Sequence, residues 1–461
     1  MKGKWTAYVA AGIVAAGILG GGQGVFAPLT ACAQEAADTE TEAETQTAFD
    51  AVAYAKLLCG GDTARLESDY TYTEDFMNAI EASGGFAALQ ESLKALGALK
   101  ETEEPVTTEV SGYAVYEVPC KFEQMNLNLQ ITLDGEGKIA GVVTMEYQGE
   151  EAESLPEGLT ETELNLSVSG QEGWVLPGTL TMPEGDGPFP AVVLVHGSGP
   201  NDRDETIGPN KPFRDLAWGL AQQGIAVYRY DKRTMVYGQE MAADTGLTLD
   251  EETVEDAKDA VALLRSQEKI DTERVYVLGH SLGGEALPRI DSALADGEKA
   301  AGYIFMAAPA RDLAVMTREQ YDFLYSFETE LDEEAEAQKQ AIYEALDKLD
   351  DLESLGDDEA VMGAYKAYWE DLKNYDPVES AADMTAPCLV LQGEEDYQVT
   401  MEDYNLWKAA FGEKEGWEFH SYPGITHLFM AGDLENGNAD YMKQQKVDEA
   451  VIADIAAFIK K

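Results

Sequence analysis

The spacing of apolar residues changes along the first third of the chain. Two segments, residues 49–58 and 74–96, repeat apolar side chains at helical intervals, whereas residues 127–133 are apolar at every second position. Residues 134–138 then read as a hairpin turn and residues 139–147 as the returning strand. Helices followed by an antiparallel meander predict a small α+β domain at about residues 48–150. This segment contains no histidine and no recognisable catalytic cluster.

Beyond residue 160, short apolar runs alternate with segments of helical spacing. One helix is predicted from the apolar stripe of Val254, Ala257, Val261 and Leu264. Strands alternating with helices predict a doubly wound, mostly parallel sheet over residues 160–461. Its predicted buried strands lie at residues 191–195, 224–230, 275–278, 303–308 and 388–392.

One connection in this region is too long for an ordinary link between a strand and a helix. It covers about residues 311–376 and carries apolar stripes at helical spacing. These stripes predict a helical insertion. We expect such an insertion to restrict access to a site at the edge of the sheet and to leave the chemistry to the sheet itself.

The strand at residues 275–278 ends in Gly279-His280-Ser281-Leu282-Gly283, which is a G-x-S-x-G sequence. A serine on a very tight strand-to-helix turn has a strained backbone, and side chains at positions 279 and 283 would collide with that turn. The turn lifts the serine hydroxyl clear of the sheet. A strand before the motif and helix-forming residues after it predict that Ser281 is a nucleophile, and the alternative is an ordinary βα turn.

The net charge of the chain limits the kinds of molecule that it is expected to bind. There are 32 Lys and Arg residues against 87 Asp and Glu residues, which gives a net charge of −55 at pH 7. A strongly negative protein repels phosphate groups, so this charge argues against binding to nucleic acid and against electrostatic docking on anionic lipid.

The first 33 residues have the pattern of an export signal. Two lysines precede an apolar run, and the segment ends in Leu29-Thr30-Ala31-Cys32, which resembles the lipobox of bacterial lipoproteins. That resemblance implies a lipid on Cys32. Simple cleavage after Ala33 is the alternative, and a retained membrane helix is disfavoured by the glycines at residues 20–24. Each interpretation places the protein outside the cytoplasm, on an acidic, disordered tether at residues 34–47.

Three further cysteines are present. Cys59 and Cys120 both fall in the predicted α+β domain and could pair in an oxidising compartment, although their spacing does not establish the pairing. Cys388 lies in an apolar strand and is interpreted as an inert core residue.

The G-x-S-x-G turn around Ser281, the order of strands and the loop motifs together resemble those of the α/β-hydrolase superfamily over about residues 160–461. The small leading domain and the helical insertion resemble bacterial secreted carboxylesterases, in which a domain of unknown function precedes a serine hydrolase with a helical cap. The resemblance implies that an acid and then a histidine base follow the nucleophile along the chain.

This order assigns the base and the acid by family position. His427 lies in a loop near the chain end, where the family carries its base, and His420 on the preceding strand is its rival. Asp396 matches the family acid, which follows a strand in a G-x-x-D sequence, and the neighbouring Glu394 and Glu395 are the alternatives. The carboxylate would fix the tautomer of the base and stabilise its charged form.

Backbone amides are expected to form the oxyanion hole. One donor should be Leu282, directly after the nucleophile, and by family position the other is Ser198, with Gly197 as second choice. The two remaining histidines, His196 and His280, are interpreted as a loop-bracing residue and a packing residue.

Two arginines follow strand ends at the same mouth of the predicted sheet. Arg203 and Arg233 either bind a substrate carboxylate or pair with neighbouring acids, and local pairing is the commoner role of charged loop residues. The loop at residues 196–200 lacks the G-K-[ST] sequence of a phosphate loop, and the aspartate clusters lack a metal-ligand spacing. We therefore expect neither cofactor nor metal.

The sequence as a whole favours an exported serine hydrolase, a carboxylesterase that cleaves acyl esters through an acyl-enzyme intermediate. A serine aminopeptidase on the same fold is the alternative, because its triad would look identical. A ligand-binding surface lipoprotein without catalysis is a third interpretation. The expected partner is a small ester or a short peptide, and contact with the membrane is expected only through the N-terminal lipid.

Overall fold

The computed structural model describes residues 49–60, 63–82, 85–94, 96–110, 113–123, 126–145, 153–328, 331 and 333–461. The predicted export signal, Cys32 and the tether at residues 34–47 lie outside the described residues. The described chain divides into two compact units, and the division falls between Ser154 and Leu155. Within the described ranges, no helix is both long and apolar enough to cross a membrane.

The first unit places helices against an antiparallel sheet. Its helices are α1 (Ala51–Gly60), α2 (Thr63–Asp69), α3 (Glu74–Ala82) and α4 (Gly85–Lys94). Its strands are β1 (Leu99–Thr102), β2 (Val106–Val110), β3 (Tyr113–Phe122), β4 (Asn126–Leu133) and β5 (Ile139–Met145). They are ordered β1-β3-β4-β5, with β2 also paired to β3. This antiparallel sheet confirms the predicted α+β architecture.

The long helical pattern near residue 85 is two helices, not one. Gly85 begins α4 with a φ of 83°, a left-handed conformation that favours glycine over residues with a side chain. The apolar periodicity continues across the interruption because α3 and α4 both contribute to the same buried cluster, through Phe76, Ile80, Phe86 and Leu93.

The second unit is built on an eight-stranded sheet in the order β15-β14-β13-β12-β10-β11-β9-β6. Strands β10 to β15 are parallel to one another, whereas β9 pairs antiparallel with both β11 and β6. The strands of this unit are β6 (Leu159–Glu163), β7 (Leu166–Ser167), β8 (Val175–Leu176), β9 (Gly178–Pro183), β10 (Phe189–Val195), β11 (Ala226–Tyr230), β12 (Ile270–His280), β13 (Tyr303–Met306), β14 (Cys388–Gly393) and β15 (Trp417–Tyr422). The predicted α/β class is confirmed.

Strands β10, β13 and β14 are buried along almost their whole length, as expected where helices cover both faces of a parallel sheet. These helices are α5 (Pro212–Gln222), α6 (Arg233–Val236), α7 (Gly238–Ala243), α8 (Glu255–Arg265), α9 (Leu282–Glu285), α10 (Leu287–Ala293), α11 (Leu313–Tyr325), α12 (Glu333–Leu349), α13 (Lys366–Lys373), α14 (Pro377–Ser380), α15 (Met401–Phe411) and α16 (Glu449–Ile459). A π-helical turn at Asp250–Val254 leads into α8.

The helical insertion predicted at residues 311–376 contains α11, α12 and α13. Its first helix packs into the main core, because Met316 and Leu324 are buried in the same apolar cluster as the sheet residues Leu278 and Leu391. The helix α11 is therefore part of the hydrolase core and not an appendage above it.

Candidate active site

The site begins at the sharp turn between β12 and α9. Ser281 has a φ of 53° and a ψ of −121°, a conformation that residues with a side chain rarely adopt. A Cβ atom at Gly279 would lie 2.1 Å from the carbonyl oxygen of Gly283, and one at Gly283 would lie 2.3 Å from the carbonyl oxygen of Val195. The two glycines therefore permit the turn, as the sequence predicts.

Asp396 and His427 come together from two separate loops. Asp396 Oδ2 lies 2.7 Å from His427 Nδ1. Asp396 Oδ1 accepts the amide N–H groups of Gln398 at 2.8 Å and Val399 at 3.0 Å. The Gln392 side-chain amide also donates to Asp396 Oδ2, at 3.1 Å. A carboxylate surrounded by donors acts as an acceptor, so Nδ1 of the imidazole carries the proton and Nε2 is left to accept one.

Ser281 and His427 share one pocket. Its lining includes Ser281, His427 and Gln398. The hydrogen bond described for the His427 ring goes to Asp396 and not to the Ser281 hydroxyl. Bonds between a nucleophile and its base often become short only when substrate is bound.

The rival candidates lie away from the pocket. His420 projects from β15 and its Nδ1 lies 2.7 Å from Asp454 Oδ2. Glu394 accepts the hydroxyl of Ser421, and Glu395 accepts the amide of Leu434. None of these three residues lines the pocket that holds Ser281.

The loop after β10 supplies amides beside the nucleophile. Gly197 and Ser198 both line the pocket. The N–H group of Gly197 donates to Glu205 Oε1 at 2.8 Å, so this amide is occupied. In the described chain no protein acceptor is found for the amides of Ser198 and Leu282, which leaves this pair as the available donors. Asn201 holds the loop from below by donating to the carbonyls of residues 197, 198 and 199.

A buried pair, His280 and Glu205, lines the same pocket. His280 Nδ1 is 2.8 Å from Glu205 Oε2, and His280 Nε2 is 3.0 Å from the backbone oxygen of His427. Burial acts to lower the pKa of His280, but the Glu205 carboxylate outweighs it and the net pKa is raised. For Glu205, burial is likewise outweighed by the His280 cation, and the pKa is lowered. His280, expected only to pack, thus links the β10 loop to the His427 loop.

The last histidine is held in its neutral form. Burial is the main reason that the pKa of His196 falls to about 4. Its ring packs between Phe213 and Tyr230, with centroid distances of 4.9 and 5.5 Å. His196 Nε2 has no partner in the described part of the chain, but the ring is also hydrogen-bonded to the backbone of Asp202, so this residue braces the loop by packing and by that bond.

Both arginines at the mouth are engaged in ion pairs. Arg203 binds both oxygens of Asp231 at 2.9 Å. Arg233 binds both oxygens of Asp256, at 2.6 and 2.7 Å, and is almost fully buried. Local pairing is therefore the role that the geometry gives them.

Sequence reasoning missed several polar residues that hold the site in place. These are Glu205, Gln392, Lys232, Glu252 and Tyr368. Only their unusual burial distinguishes them from surface residues, and burial is not readable from one sequence. In the described ranges, no group of three His, Cys, Asp or Glu residues is arranged to hold a metal ion.

Comparison with known proteins gives the family. Residues 192–435 match the model of the alpha/beta hydrolase family. The chain is 40% identical over 354 residues to "Esterase EstD" of Thermotoga maritima, a match that covers 76% of this chain and 80% of that protein.

The chain also matches solved structures, with TM-scores below 0.5. Est1E from Butyrivibrio proteoclasticus is 16% identical, with a TM-score of 0.42 over 65% of this chain and 99% of its own. An esterase from Pyrococcus furiosus is 13% identical, with a TM-score of 0.40 over 66% of this chain and 91% of its own. A putative dipeptidyl aminopeptidase IV from Bacteroides ovatus is 16% identical, with a TM-score of 0.45 over 78% of this chain and 43% of its own.

The extent of the family match and the identity to the Thermotoga protein establish that this chain belongs to the alpha/beta hydrolase family and is a hydrolytic enzyme homologous to an esterase.

Proposed function

We propose that this enzyme is an exported carboxylesterase that cleaves acyl esters through an acyl-enzyme on Ser281. The observation that carries the proposal is the pocket that Ser281, on its strained turn, shares with His427, whose Nδ1 is paired with Asp396. A serine hydroxyl is a poor nucleophile at neutral pH, and this arrangement offers it a base whose orientation is fixed by a carboxylate. The name of the Thermotoga relative supports an ester as the substrate.

The proposed reaction has two halves. His427 Nε2 takes the Ser281 proton as Oγ bonds to the acyl carbon, and the negative charge on the former carbonyl oxygen is stabilised by the amides of Leu282 and Ser198. The intermediate collapses with loss of the alcohol, which receives its proton from His427. Water then attacks the acyl-enzyme in the same way, and the carboxylic acid leaves. Asp396 keeps the proton on Nδ1 and stabilises the imidazolium in both halves.

Point variants and two substrate series test this function. Turnover of short-chain p-nitrophenyl esters should fall on the order of 10⁴-fold in Ser281→Ala and in His427→Ala, because neither residue works without the other. Asp396→Asn should cost as much or somewhat less. His420→Ala is the matched control, because His420 also contacts a carboxylate at 2.7 Å but lies outside the pocket. Its rate should stay near that of the unmodified enzyme.

Labelling by a fluorophosphonate separates an enzyme from a binding protein, and aminoacyl p-nitroanilides separate a peptidase from an esterase. Faster turnover of the anilides than of the esters would replace the ester assignment with a peptidase. A folded His427→Ala protein with a normal rate would remove His427 from the mechanism.

A further inference from the structure

Lys232 is a buried cation that contacts residues 196–200, the proposed oxyanion loop. It follows β11, and only 2% of its surface is exposed. Its ammonium donates to the carbonyl oxygen of Gly197 at 2.8 Å and to Glu252 Oε1 at 2.5 Å. A buried ammonium is costly unless it is both paired and hydrogen-bonded. Glu252, which is also fully buried, provides the opposite charge.

The second oxygen of this glutamate is engaged by the helical insertion. The hydroxyl of Tyr368, on α13, donates to Glu252 Oε2 at 2.5 Å. Tyr368 is fully buried, and burial followed by the Glu252 carboxylate raises the pKa of Tyr368 well above its usual value. The phenol therefore keeps its proton and remains a donor. A continuous buried chain runs from Tyr368 through Glu252 and Lys232 to Gly197.

The orientation of one peptide group links this chain to catalysis. The carbonyl of Gly197 and the N–H of Ser198 belong to one planar, trans peptide, so they point in opposite directions. An ammonium that holds the carbonyl oxygen on one side fixes where the N–H points on the other. The same cation polarises the peptide and strengthens its N–H as a donor. Glu205 holds the preceding amide at 2.8 Å, so the loop cannot rotate freely.

We propose that Lys232, supported by Glu252 and Tyr368, is a positioning residue that orients and polarises the Gly197–Ser198 peptide for binding the oxyanion. The inference rests on the proposed function, because it assigns a task to the Ser198 amide in that reaction. Lys232 does not touch substrate. It acts through the peptide, and the insertion reaches the oxyanion hole through the same contacts.

A charge-neutral double variant tests the proposal. Lys232→Met with Glu252→Gln removes both charges and leaves neither one buried alone. Loss of one oxyanion donor typically lowers kcat about 10²- to 10³-fold, so we expect kcat to fall about 10²-fold with little change in KM. Affinity for a trifluoromethyl ketone, which forms an oxyanion on the serine, should fall in parallel with kcat/KM.

The neighbouring ion pair gives a matched control. Arg233→Met with Asp256→Asn also removes a nearly fully buried pair, but the described hydrogen bonds of Arg233 go to Asp256 and Glu255 and not to the Gly197 loop. This variant should lose stability and keep its kcat and its affinity for the ketone. A purely structural role for Lys232 would make the two double variants alike.

Tyr368→Phe supplies the decisive measurement if the Lys232 double variant does not fold. Loss of its hydrogen bond should weaken ketone binding about threefold or more, with KM unchanged. Normal ketone affinity and kcat in folded Lys232→Met/Glu252→Gln, or in Tyr368→Phe, would overturn the inference. Failure of the proposed function would be distinguishable from failure of this inference. It would appear as an unmodified enzyme without esterase activity, or as a Ser281→Ala variant that remains active.

Discussion

Glu285 makes the stability of the hydrolase unit depend on pH in an unusual direction. This carboxyl group lies on α9, one turn after Ser281, and only 3% of the residue is exposed. Glu285 Oε2 has no hydrogen-bond partner in the described chain. Burial, which outweighs the attraction of the Arg289 cation, raises the pKa of Glu285 from 4.5 to about 8. Smaller contributions in the same direction come from Asp403, Asp312 and Asp371.

The size of the effect follows from this shift. The folded protein holds the Glu285 proton to a higher pH than the unfolded chain does. The contribution of this proton to the free energy of unfolding is therefore fully present below about pH 4.5, falls as the pH rises and is lost above about pH 8. Each pKa unit corresponds to about 1.4 kcal/mol, so the whole change amounts to about 5 kcal/mol. Glu285→Gln, which is neutral at every pH and has nearly the same shape, lacks this loss.

Urea unfolding of both proteins measures the effect directly. Tryptophan fluorescence reports on the hydrolase unit, because the tryptophans of the described chain all lie there, at positions 174, 218, 369, 407 and 417. Between about pH 5 and about pH 9, Glu285→Gln should gain about 4 kcal/mol in free energy of unfolding relative to the unmodified protein. The exposed Glu268→Gln controls for the change in net charge. A difference between the proteins that stays constant with pH would refute the reasoning.

Four further outcomes are expected. Gly279→Ala should lower stability by about 3 kcal/mol or more in thermal unfolding, because its Cβ would meet the Gly283 carbonyl at 2.1 Å, whereas Gly297→Ala, which meets no atom within 4 Å, should be tolerated. Cys59 and Cys120 are free and buried, and the neighbouring Cys120 thiol raises the pKa of Cys59, so an oxidant should join them and stabilise the first unit by about 4 kcal/mol, with two fewer titratable thiols as the readout. Cys32→Ser should move the protein from the membrane fraction to the medium, and an unchanged distribution would contradict lipid attachment. Replacing residues 329–351 by a short Gly-Ser loop should alter acyl-chain preference while Ser281 still reacts with a fluorophosphonate, whereas removal of α11 as well should abolish labelling.

The catalytic candidates could be predicted because each lies in a short local pattern. A Cβ atom at Gly279 would collide with the carbonyl of Gly283, only four residues later, and this local requirement for glycine makes the turn recognisable in the sequence. Asp396 follows its strand by a fixed spacing, and only four histidines had to be compared. Local sterics and chain order therefore carried the prediction of this site.

The supporting residues could not be predicted because their partners are distant in sequence. Lys232 meets Glu252 twenty residues later, and Glu252 meets Tyr368 a further 116 residues on. In a chain with 87 acidic residues, no pattern marks one glutamate as buried. The break between α3 and α4 was missed for a different reason, since the apolar repeat resumes in register with the same buried cluster.

The helical insertion has a larger part in the site than its position in the sequence suggests. On α11, the Gln320 side chain donates to the carbonyl of Gln398 at 3.0 Å, and the Phe323 ring stacks 4.8 Å from Tyr397. Both contacts hold the turn whose amides bind Asp396.

The other end of the insertion reaches the oxyanion loop through Tyr368. The insertion thus contacts residues that hold Asp396 and residues that hold Ser198, the proposed oxyanion donor. Its middle helix, α12, makes neither contact among the described residues. Changes in α12 therefore leave both contacts in place, whereas α11 and α13 are constrained by their contacts with the residues that hold the proposed site.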